Sequence, residues 1–199
     1  MRRTSLSVPG RVVRTTLVRT PLRDHKSISI VGMVLSWIFG GGAPPLTGRN
    51  AAVRFKDDFQ AKYGEPPNFV EDGYREAEKL AQASSKLLLV YLHCPLHQDT
   101  DTYCAQTLAS QELKDLLEND FVIWGGDISY AEPYLLMNEH LRPSTFPSIA
   151  VLLSRPGHAL LVDRIDSAIS AGQLTRRLAA ALAAHHAALD ADRAASFER

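Results

Sequence analysis

The chain has 199 residues, 45% of them hydrophobic, enough for one substantial core and a short appendage. Its two cysteines give no disulfide framework and fit a reducing compartment. The net charge of zero hides an asymmetry: residues 1–45 hold seven Lys/Arg against one acid, Asp24, a net +6, and the other 15 bases and 21 acids leave −6 on residues 46–199. An acidic globule argues against a nucleic-acid-binding core, while a basic head points to an anionic membrane surface or a targeting receptor.

The head, residues 1–45, has two parts. Residues 1–26 are rich in Arg, Ser and Thr, with Pro9, Gly10 and Pro21 interrupting any long helix. Residues 28–39 are uncharged and mostly apolar. As a helix they rise about 18 Å, short of the roughly 30 Å hydrocarbon core, so a simple span is not expected. Three readings remain: an interfacial or re-entrant segment, a targeting peptide, or a helix covering the globule. In the first, Arg11, Arg14, Arg19 and Arg23 meet anionic head groups while Ile30, Val34, Trp37 and Phe39 insert shallowly. A mitochondrial presequence fits the Arg/Ser/Thr content, but Pro9, Gly10 and Pro21 break the amphipathic helix such signals need.

Residues 43–48 form a Pro/Gly linker, and the globular domain is expected over 46–185. Asn50 is placed to cap a helix with Ala52, Phe55, Phe59 and Tyr63 on one face, stopped by Gly64. Pro66 and Pro67 break the chain, and a second helix from Asp72 carries Tyr74, Ala77 and Ala81 inward. Lys86 leads into a strand at 87–92, apolar on both faces and therefore central. A polar turn precedes a helix over 101–108. Ser110 then caps a helix with Leu113, Leu116 and Leu117 inside. A strand at 121–124 ends at Gly125-Gly126-Asp127, and Pro133 lies in the first turn of a helix reaching Leu141. Strands at 148–153 and 159–165 are joined by Arg155-Pro156-Gly157 as a hairpin. The last helix starts near Ser170, with Leu174, Leu178, Leu182 and Leu189 as its stripe. Beyond His185 that stripe thins, so residues 186–199 are expected to project, and the terminal residues read as a chain cut short.

This order of strands and helices is thioredoxin-like. In that fold a cis-proline before the third strand faces the redox site, so Pro147 is expected to be cis and its loop to lie beside residues 93–97. A redox site needs two cysteines separated by two residues at a helix N-terminus. Cys94 and Cys104 are separated by nine. Cys104 reads instead as a buried apolar residue beside Leu108. His93, Cys94, His97 and Cys104 make a candidate metal set, but adjacent His93 and Cys94 point to opposite sides of a strand, and no metal or other cofactor is expected.

Several of these motifs resemble one family: residues 59–64 (FQAKYG), 73–77 (GYREA), the strand 87–93 with His97-Gln98-Asp99 and Cys104, and Phe146-Pro147. In that order, over about residues 50–185, they are similar to the UAS domain of the FAS-associated factor family of UBX-domain proteins. The resemblance implies an α/β thioredoxin-like domain without oxidoreductase activity. It also implies an adaptor of ubiquitin-dependent protein degradation on the cytoplasmic face of the endoplasmic reticulum or on lipid droplets, and a link to long-chain unsaturated fatty acids. Residues 1–45 show no ubiquitin-associated pattern, and no UBX domain follows the final helix, so ubiquitin binding and docking of the AAA ATPase are not carried over. The expected binding surface is His93, Cys94, His97 and Pro147. Lys86, Arg142 and Arg155, taken to flank strand ends on one side, are the candidates for a fatty-acid carboxylate. The alternative is a degenerate thioredoxin-like redox protein working through Cys94, with His93 or His97 lowering its pKa.

Overall fold

The computed structural model describes residues 17–18 and 46–197. Strand β1 is the two-residue Leu17–Val18. Helix α1 (Gly48–Tyr63) and helix α2 (Tyr74–Ala83) precede the central strand β2 (Leu87–His93). Helix α3 (Thr100–Tyr103) widens into a π-turn at Cys104–Leu108 and is followed by α4 (Gln111–Asp120). Strand β3 (Phe121–Asp127) leads to α5 (Ala131–Leu135) and a second π-turn, Leu136–Leu141. The hairpin β4 (Ser148–Arg155) and β5 (His158–Asp166) precedes the long helix α6 (Ala171–Phe197).

The sheet order is β1-β5-β4-β2-β3. β2 runs parallel to β3 and antiparallel to β4, which pairs antiparallel with β5. A parallel central pair, a β4–β5 hairpin and a cis Phe146-Pro147 peptide ahead of β4 are the thioredoxin-like arrangement. Two cores flank the sheet. One packs Leu87, Leu89 and Tyr91 against Phe55, Phe59, Leu113 and Leu178; the other packs Leu88, Val90 and Leu92 against Tyr74, Ala77 and Trp124. This alternation follows from the period of two along a strand.

Some local expectations are corrected. α1 opens at Gly48 with Thr47 at its N-cap, not at Asn50, which already lies inside the helix; Gly48 itself takes a left-handed φ of 54°. Neither Thr47 nor Ser110 makes a side-chain cap; the Ser110 hydroxyl donates instead to the Thr107 carbonyl. β3 does not stop at Gly125. A Cβ there would lie 2.5 Å from the Phe55 ring, and one at Gly126 would lie 2.5 Å from Pro133, so the glycines let α1 and α5 close on a continuing strand. α6 does not project from residue 186: Leu189 is buried, and Asp192 pairs with Arg155, which holds the helix to the globule. No helix among the described residues is long and apolar enough to cross a membrane.

Glu132 ties two helices together. Its carboxylate accepts from the Tyr74 amide at 2.9 Å, at the start of α2, and its pKa is held down by a second backbone bond from Gly48, at the start of α1. Burial acts more strongly and raises the pKa above the ordinary carboxylate value. Orphan amides at both helix starts thus share one acceptor. Glu132→Ala is expected to lower the unfolding free energy by about 2 kcal/mol, the upper range for losing a cap; an unchanged urea midpoint would overturn this role.

Candidate functional site

The last residues of β2 set the site. Tyr91 and His93 point to the α1 side of the sheet. The Tyr91 hydroxyl shares hydrogen bonds with His93 Nδ1 at 3.0 Å and Cys104 Sγ at 3.2 Å. The His93 ring lies 5.5 Å from that of Phe55 and 6.2 Å from that of Tyr63. Burial lowers the His93 pKa below 6.5; Lys62 adds to this, while Asp127 and Asp101 oppose it. The imidazole is therefore neutral at neutral pH. Burial also pushes the Cys104 thiol up to about 12, with the Tyr91 bond opposing. Such a thiol carries almost no thiolate and is no nucleophile. It is the buried side chain, packed with Leu108, that the sequence led us to expect.

Residues 94–99 form a closed turn. The His97 amide donates to the Cys94 carbonyl at 3.2 Å, and the buried Thr100 hydroxyl donates to the same oxygen at 2.7 Å. The Asp99 amide points at His97 Nδ1 at 3.4 Å. Leu96 stands at the tip of the turn, 94% exposed. Across from it the rings of His97 and Phe146 are 6.4 Å apart, and Pro147 is cis and buried, so the cis-proline loop lies beside the turn as expected. Cys94, His97 and Pro147 thus share one end of the sheet, while His93 turns inward. Cys94 and Cys104 are both free thiols. Among the described residues no group of three or more His, Cys, Asp or Glu side chains is placed to hold a metal ion.

A cleft of about 170 Å³ adjoins this end, lined in part by Asp58, Lys62, Tyr63, His93, Asp127 and Tyr130. Lys62 Nζ and the Tyr63 hydroxyl each donate to Asp101 Oδ1 at 2.7 Å, and burial pushes the Tyr63 pKa up to about 12. Sequence reasoning did not single out Lys62, Tyr63 or Asp127 as site residues. The available signal was the 59–64 motif, whose Lys-Tyr pair falls here.

The three carboxylate candidates do not share one side. Leu92 faces Ser148 and Leu88 faces Leu152, so Lys86 and Arg155 sit at one end of the sheet, and Arg142, ahead of β4, sits at the other. Arg155 is engaged by Asp192. Lys86 donates to the Glu118 carbonyl at 3.2 Å on the rim of a second cleft, about 220 Å³, walled by Val70, Leu80, Leu117, Phe121 and Ile123. The head candidates Arg11, Arg14, Arg19, Arg23, Ile30, Val34, Trp37 and Phe39 lie outside the described residues.

Iodoacetamide on the native protein is expected to give a single adduct at Cys94, and two after unfolding. Peptide mapping that finds Cys104 alkylated at a comparable rate in the native state would contradict its burial.

Residues 55–155 match the Fas-associated factor 1 family. FAS-associated factor 2 of Homo sapiens is 30% identical over 148 residues, which are 74% of this chain and 33% of that protein. Plant UBX domain-containing protein 10 of Arabidopsis thaliana is 36% identical over 106 residues, 51% of this chain and 22% of that protein. The chain therefore spans no more than about a third of the length of these two curated relatives. Among solved structures, a thioredoxin from Thermus thermophilus is 24% identical, with 53% of this chain and 80% of its own covered at a TM-score of 0.49. The family match takes in just over half of the chain, from α1 through β2, the 94–99 turn and the cis-proline loop to the end of β4, and the chain belongs to the Fas-associated factor family.

Proposed function

We propose that this chain is a non-enzymatic adaptor of ubiquitin-dependent protein degradation, working at the cytoplasmic face of the endoplasmic reticulum or at lipid droplets. The observation that carries the non-enzymatic part is the state of the two thiols. Cys104 is buried against Tyr91 with its pKa pushed up to about 12, so Cys94 has no resolving partner. The same end of the sheet offers a protein-binding feature instead. Leu96 is a large apolar side chain held out on a closed turn, beside His97 and Phe146. A large apolar side chain already held out from a closed turn can be buried by a partner with little further ordering. Membership of the Fas-associated factor family supports an adaptor role, and the degradation pathway, the membrane and the partners extend that reading. Under it the basic head supplies the membrane contact.

A second reading is favoured by one observation. Of the three candidates for a lipid carboxylate, Lys86 alone stands on the rim of the apolar cleft beneath Leu80 and Phe121. At about 220 Å³ the cleft is smaller than a usual ligand pocket, so it takes part of an acyl chain while Lys86 meets the carboxylate.

Tagged full-length chain, captured from cells after proteasome inhibition, is expected to recover polyubiquitinated proteins. Leu96→Asp lowers that recovery at least about tenfold, the scale of one leucine no longer buried, without changing the melting temperature. Recovery no better than from a tag-only control sinks the adaptor reading. For the lipid reading, oleate at a hundredfold excess over Kd stabilises the full chain by about 2.7 kcal/mol. Methyl oleate and Lys86→Glu both abolish the shift; stabilisation that survives Lys86→Glu removes this cleft as the site.

A further inference from the structure

We infer that the outer edge of β5 is the docking site for residues 11–19 of this same chain, which add to the sheet as an antiparallel strand. β5 is nine residues long and its inner edge is bonded to β4. Among the described residues its outer edge meets Leu17 and Val18, with Leu17 opposite Leu160 and Val18 opposite Ala159. Leu160, Leu161 and Val162 are half-buried along it. A long apolar edge left open is a template for stray pairing, and proteins cover such edges.

The two seated residues fix the direction, and the register as far as Leu161. Continued at the same register, Thr16 falls opposite Leu161; at the next residue β5 bulges, since Val151 faces Asp163 and Leu152 faces Leu161, and the segment beyond Thr16 must follow that bulge. Asp163 and Asp166 are the two acids of β5. Each already has an arginine partner, Arg177 and Arg164, so the register does not rest on the charges of Arg14 and Arg11. The segment also has the composition of a strand. Val12, Val13, Thr15, Thr16 and Val18 are β-branched, and residues 11–19 contain neither Pro nor Gly. Pro9-Gly10 and Pro21 bracket it, as strand-ending residues should. Backbone bonds supply the attraction and the alternate side chains the specificity, as in strand addition generally.

Hydrogen exchange read by mass spectrometry tests this on the full chain and on full-length Leu17→Pro/Val18→Pro, which cannot donate to the ladder at either position. The amides of residues 158–166 are expected to exchange at least roughly tenfold faster in the variant, with β2 and β3 unchanged. Equal exchange in the two proteins overturns the proposal. So does wild-type protection that fades on dilution, because the occupant is then the head of a second copy. An independent measurement covers a variant that fails to fold. Leu17→Cys/Leu160→Cys is expected to oxidise to an intramolecular 17–160 disulfide, and its absence, or a link between chains, overturns the proposal.

Discussion

All seven residues of β2 are buried, and everything else in the domain is arranged around that fact. A strand out of contact with water must have every backbone N–H and C=O paired and both faces covered. β3 and β4 supply the pairing on its two edges. α1 and α4 cover one face and α2 the other. The direction of β2 then decides where the chain emerges. Its C-terminal end delivers the 94–99 turn to the side where the cis-proline loop enters β4, and the alternation of its last residues separates the inward His93 from the outward Cys94.

That separation governs the chemistry. Tyr91, His93 and Cys104 satisfy one another inside the core, with the imidazole kept neutral and the thiol protonated by the same burial. What faces solvent is a rigid turn with a protruding leucine. The turn and the cis-proline loop keep the thioredoxin-like frame, while the side chain it holds out to solvent is a leucine.

Much of the fold was legible because its strongest signals are local. The apolar run at 87–92, the Arg-Pro-Gly turn between β4 and β5, and Phe146-Pro147 each announce an element within a few residues. The Ala77 and Ala81 stripe gave the inner face of α2 for the same reason. Less was legible where long-range packing overrides local rules. Gly125 and Gly126 read as a strand end, yet they are glycines because Phe55 and Pro133 close on the strand there. The thinning of α6 past His185 read as projection, but Asp192 finds Arg155, a residue far away in sequence. The same limit applied to Arg142, whose end of the sheet depends on the β2–β4 register, and to the cleft at Lys62 and Tyr63, built from elements that meet only after folding.

One feature of the turn reaches beyond this protein's own chemistry. Positions 94 and 97 are already joined by a backbone hydrogen bond, and Thr100 fixes the same carbonyl from below. They have the two-residue separation that a dithiol needs. Position 97 carries an imidazole where such a pair needs a second thiol, and the helix that follows opens only at Thr100. A His97→Cys chain would therefore ask how much dithiol reactivity this turn supports when the helix N-terminus lies beyond it.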